Sequence, residues 1–177
     1  MKARYLRRWS FGLVLMIAGL VAVASSPVQL TLTSFKVVLT TDEQGERVER
    51  FLPAVQVAPG DVIEWRLSAL NTAEAALNAV ELVIPIPPET YYLQGSAVPL
   101  VLKRGEREIA VAPRFSFDGG KTYGVPPLYR EVKEVVNGKE VTKKVLVPPE
   151  DYTHVRWLLE VMNPGEQVEV TLRTVVR

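Results

Sequence analysis

His154 is the only histidine in the chain and no cysteine accompanies it, so acid–base and metal chemistry start from a short inventory. Its nearest acids are Glu150 and Asp151, just upstream. An imidazole without converging partners reads as a solvated surface residue rather than as a base or a ligand. Serines are plentiful, yet none sits in a G-x-S-x-G turn, and the one base available to a triad is that same histidine. No phosphate loop, dinucleotide fingerprint or EF-hand spacing occurs. Paired carboxylates on neighbouring strands are the remaining route to hydrolysis, and nothing in the spacing marks such a pair. The expectation is a non-enzyme with no catalytic residue, no cofactor and no metal, with a hydrolase the least favoured of three function classes.

Binding chemistry has more to start from. Ser116-Phe117-Asp118-Gly119-Gly120-Lys121-Thr122-Tyr123 is similar to an Asp-box, S-x-D-x-G-x-T-W, with Tyr123 in the last place. In that pattern the carboxylate accepts backbone N–H groups across a hairpin and the glycines supply positive φ, so a structural turn is expected, with calcium or glycan binding as the alternative. Tyr91 and Tyr92 follow Pro87-Pro88-Glu89-Thr90. Neighbouring strand residues point to opposite faces, which offers one of the two rings to a surface where aromatics stack on sugars. Tyr91, Tyr92 and Tyr123 are therefore the candidates for a carbohydrate-binding module, the second function class. Lys36, Asn71 and Asn78 raise an intramolecular Lys–Asn isopeptide bond, which also requires a buried carboxyl group.

The elements that must position these residues are strands. Ile63, Trp65, Leu67 and Ala69 alternate with Glu64, Arg66 and Ser68, giving one apolar and one polar face. Val80, Leu82, Ile84 and Ile86 behave likewise, as do Val155, Trp157, Leu159 and Val161, and then Val168, Val170, Leu172 and Val176. Leu30 and Leu32 followed by Phe35, Val37 and Leu39 keep period two but change phase, which predicts a β-bulge or a strand crossing between sheets. Residues 130–136, Asn137-Gly138 and residues 139–147 predict a charged hairpin, because Asn-Gly permits the positive φ angles of a type I′ turn. Its charges point to a solvated ribbon, spanning about residues 128–148, that projects from the body or protects an edge. Asn137, Gly138 and Lys139 at its tip are the candidate contact residues. Alternation, frequent turns and the lack of helical periodicity predict an all-β, immunoglobulin-like two-sheet antiparallel β-sandwich over residues 25–177.

The first 24 residues have a different character. Residues 1–8 are basic, residues 11–23 are apolar and uncharged, and Ala22-Val23-Ala24 places small residues at the positions a signal peptidase requires, with cleavage before Ser25. A spanning helix needs about 20 apolar residues, and this run is shorter, so a cleavable signal-peptide helix is expected, with membrane contact only through that transient segment. Four of the 21 basic residues (Lys2, Arg4, Arg7, Arg8) and none of the 20 acids lie there, which leaves 17 against 20, or −3. That balance lacks the basic footprint of a nucleic-acid binder. With no cysteine, the fold must stand on packing alone, and 47% hydrophobic residues in a single domain supply enough for a core.

Val57-Ala58-Pro59-Gly60-Asp61-Val62-Ile63-Glu64-Trp65, Asn71, Leu77-Asn78-Ala79-Val80, Ile84-Pro85 to Tyr91 and Gly95-Ser96-Ala97, in that order, resemble the conserved-repeat domain of bacterial secreted and cell-surface proteins. Phe115 to Gly120, Val155-Arg156-Trp157 and Pro164-Gly165 extend the likeness over most of the chain after the signal. The resemblance implies an immunoglobulin-like sandwich, an envelope or extracellular location and a structural or adhesive role, with no catalytic residues to carry over. The first function class is therefore an exported, non-catalytic structural or interaction module of the cell envelope. Its expected partner is another envelope or surface protein, or a second copy, with a glycan as the alternative.

Overall fold

The computed structural model describes residues 27–136 and 139–177. The expected signal segment with Ala22, Ala24 and Ser25, and the turn residues Asn137 and Gly138, lie outside the described residues. The strands are β1 (Val28–Thr41), β2 (Arg47–Pro53), β3 (Val62–Asn71), β4 (Leu77–Pro85), β5 (Thr90–Tyr92), β6 (Leu100–Arg104), β7 (Arg107–Val111), β8 (Arg114–Ser116), β9 (Leu128–Val136), β10 (Lys139–Val147), β11 (His154–Met162) and β12 (Gln167–Val176). A 3-10 turn, Pro149–Asp151, precedes β11.

All pairings are antiparallel, and the sheets do not close into a barrel. One sheet runs β2-β1-β3-β12-β5 and the other β4-β11-β8, while among the described residues β6 pairs only with β7 and β9 only with β10. Alternation places Leu67 and Ala69 of β3 and Val168, Val170 and Leu172 of β12 against Leu82 and Ile84 of β4 and Val155, Trp157 and Leu159 of β11, in one buried cluster. Each valine, leucine or isoleucine among them contributes about 1.5–3 kcal/mol by leaving water. The expected sandwich is thus the observed one. Its large aromatic residues also satisfy their polar tips: Trp157 Nε1 donates to the Val98 carbonyl at 3.0 Å and Trp65 Nε1 to the Thr174 hydroxyl at 3.0 Å.

Two expectations about strand faces are corrected. β1 pairs with β3 in unbroken register from Val28↔Asn71 to Val37↔Val62, so it contains no bulge and does not change sheets. The apolar stripe switches face instead. Leu30 and Leu32, opposite Ala69 and Leu67, lie on the inner face and stay 55% and 44% exposed, because the smaller sheet leaves this margin of the larger one uncovered. Phe35, opposite Glu64, lies on the outer face, where its ring and that of Phe51 flank the Arg66 guanidinium at 4.9 and 4.5 Å. Glu64 is buried beneath this layer and accepts from Arg66 Nε at 2.7 Å and Arg173 Nε at 2.8 Å. Arg173 also forks onto both oxygens of Glu49 at 2.8 and 2.7 Å, which holds the Glu49 carboxyl below its ordinary range.

The second correction concerns β11. Val161 is exposed and Met162 is buried in its place, although pairing with β4 keeps one register through Leu159↔Val80 and Val161↔Asn78. Between those pairs Ala79 adopts φ +53°, a left-handed conformation unusual for a residue with a Cβ.

Candidate functional site

The residues whose types could do chemistry are dispersed. His154, at the start of β11, has Nδ1 3.1 Å from the Thr153 hydroxyl, and its ring lies beside Gly120. Asp151 stands 3.7 Å from Arg130, and the Glu150 backbone carbonyl accepts from Arg177 at 3.1 Å. Among the described residues no group of three or more histidine, aspartate or glutamate side chains converges as a metal site. The isopeptide residues are separated as well. Lys36 Nζ is bound to Asp61 at 2.6 Å, and Lys36 pairs with Ile63, at the opposite end of β3 from Asn71. Asn71 is buried, and its Nδ2 reaches the carbonyls of Ala75, Met162 and Asn163 at 3.0–3.1 Å.

The Asp-box forms the turn its residues prescribe. Asp118 Oδ1 accepts from the Lys121 and Thr122 N–H groups at 3.1 and 3.0 Å, and Oδ2 from the Thr122 hydroxyl at 2.6 Å. The Ser116 hydroxyl donates to Asp118 at 2.7 Å and accepts from the Gly120 N–H at 3.0 Å. These donors hold the carboxyl far below its usual range, the Thr122 hydroxyl contributing most. Gly120, at φ +83°, could not carry a Cβ without meeting the Tyr123 hydroxyl at 3.1 Å.

The three candidate tyrosines do not share a surface. Tyr92 is buried in a ring cluster with Phe115 at 5.2 Å and Tyr152 at 6.1 Å, and its hydroxyl accepts from the Ala97 N–H at 3.1 Å. As a contact residue Tyr92 is therefore a correction: of the adjacent pair, its ring faces the core. Tyr91 points the other way, on the outer face of the five-stranded sheet, with the Arg177 guanidinium 5.7 Å from its ring. Tyr123 lies against the other sheet, with Arg156 of β11 4.1 Å over its ring.

The ribbon is the feature the sequence placed best. β9 and β10 pair from Leu128↔Val147 to Val136↔Lys139. Leu128 and Val147 are buried and tie the base to the core, whereas β9 from Tyr129 to Val135 and β10 from Lys139 to Lys144 are exposed. On one face Tyr129 and Leu146 stand opposite each other, each 55% exposed, followed by Glu131 opposite Lys144 and by the Lys133–Glu140 ion pair at 2.5 Å. Exposed pairs of this kind contribute about 0–1 kcal/mol. The other face alternates Arg130, Val132 and Glu134 along β9. Under the base, Pro126, Pro127, Leu146, Tyr152, Tyr92 and Phe115 line an apolar cleft of about 620 Å³.

A second cleft, of about 570 Å³, escaped sequence reasoning. β8 pairs with β11 only from Arg156 to His154, and β7, just upstream of β8, passes the rest of β11 without pairing. Ile109, Val111, Leu158 and Val161 line the opening between them, with Arg114 and Glu160 among its polar residues. A gap between β7 and β11, which lie more than forty residues apart in the chain, leaves no local signature. No family model, curated protein or solved structure matches the chain.

Proposed function

We propose that this chain is an exported, non-catalytic interaction module of the bacterial cell envelope, and that the β9–β10 ribbon is the arm with which it binds another envelope or surface protein. The observation that carries the reading is the ribbon itself: two nine-residue strands, paired among the described residues only with each other, with apolar side chains exposed among charges on both faces. An isolated two-stranded hairpin is marginal in water, and a long open edge invites pairing with another chain, so a ribbon of this kind is stabilised by docking. Its alternating charges keep the undocked arm soluble. The signal pattern of residues 1–24 and the likeness to conserved-repeat surface domains support an envelope location. The test is fractionation of the cells that make the protein, with N-terminal sequencing of what is recovered. The expected product is envelope-associated and begins at Ser25; processed protein confined to the cytoplasm overturns the reading.

A further inference from the structure

The geometry points to a second copy of this chain as a partner of the arm: β9 of one molecule lies antiparallel along β11 of the next, in the cleft between β7 and β11. This rests on the reading of the ribbon as a binding arm and is independent of export.

The cleft carries an ordered pattern along β11. Glu160 lies toward one end, Leu158 in the middle, and Arg114, opposite Arg156, toward the other. Arg156 is already engaged by Glu81 at 2.8 Å and by the Tyr123 ring, whereas Arg114 and Glu160 have no ion-pair partner among the described residues. Leu158, Val161 and Ile109 are exposed apolar side chains. One face of β9 carries the complement at the same spacing: Arg130, Val132, Glu134. Residues four apart on a strand are separated by about 13 Å, in β9 as in β11. Laid antiparallel, Arg130 meets Glu160, Val132 meets Leu158 and Ile109, and Glu134 meets Arg114; laid parallel, like charges meet. Val132 is exposed in the single chain, Glu134 has no ion-pair partner among the described residues, and the competing contact of Arg130 is its exposed ion pair with Asp151 at 3.7 Å. Arm and cleft are different patches of one surface, so the association is head-to-tail and produces rings or open chains rather than a two-fold dimer.

Sedimentation equilibrium of the purified chain tests this. The expected result is an average mass that rises with concentration beyond that of a dimer. The arm reversal (R130E with E134R) and the cleft reversal (R114E with E160R) should each weaken association at least tenfold, with thermal unfolding unchanged because all four side chains are exposed. The neutral arm variant R130Q with E134Q should weaken it less than the reversal does. An equimolar mixture of the two reversed chains, or one chain carrying all four changes, should recover the wild-type association. A chain that stays monomeric, reversals that associate as the wild type does, or a loss that the mixture fails to restore each overturns the inference. A monomeric result leaves the binding arm itself to be decided by capture of a different envelope protein.

Discussion

Asn71 illustrates how much a single buried side chain can organise. Its amide has two hydrogens for three carbonyls, those of Ala75, Met162 and Asn163, and its Oδ1 accepts from the Ala73 N–H at 2.9 Å. It thereby pins the β3–β4 connection to the β11–β12 turn. N71A strands these groups and should lower the unfolding free energy by about 1–3 kcal/mol, measured by chemical denaturation. N71D, which aims a carboxylate at carbonyl oxygens, should cost more than N71A. The residue was visible in the sequence but its role was not, since two of its acceptors lie about ninety positions away. Asp118 shows the opposite case, because every group that binds it lies within four residues and the motif could be read directly. Its folded pKa is depressed below the ordinary aspartate value of 3.8, and those of Asp61 and Glu49 are lowered too, by Lys36 and Arg173 respectively. A group depressed on folding contributes stability above its unfolded pKa and loses it as pH falls. The melting temperature should therefore drop below about pH 4. D118N should shallow that acid slope, and an unchanged slope would show that the turn does not contribute.

At the scale of elements, what is local proved legible. The charged runs of β9 and β10 pair with each other in a register that needs no other strand. The apolar face of β1 is different, because Phe35 turns outward only in company with Phe51 of β2 and Arg66 of β3, neither of which a one-strand pattern contains. β11 changes phase at its far end for an equally non-local reason, opposite the left-handed Ala79 of β4. A left-handed conformation costs an alanine about 1–2 kcal/mol, and glycine avoids that cost while losing more freedom on folding. A79G should consequently raise stability by up to about 1 kcal/mol, and A79V should lower it. Denaturant midpoints of the two variants on opposite sides of the wild type are the expected outcome; midpoints on the same side contradict the local strain.

At the scale of the molecule, the sandwich is uneven, five strands against three, with one central cluster and no disulfide to support it. Trp157 is the largest fully buried side chain in that cluster. W157A should cost about 3–5 kcal/mol, a large share of the 5–15 kcal/mol typical of a domain, and the loss should appear as a marked fall in melting temperature. The ribbon lies outside this economy of packing. Replacing residues 131–144 by a short Gly-Asn turn removes no buried side chain among the described residues and should leave the melting temperature nearly unchanged. That separation allows the central claim, that the ribbon is a binding arm, to be tested without unfolding the protein. The measurement is capture from an envelope fraction by the immobilised chain and by its ribbon-less variant, with recovered proteins identified by mass. The account predicts a defined partner on the complete chain and none on the folded variant. The same partner held equally by both would contradict it.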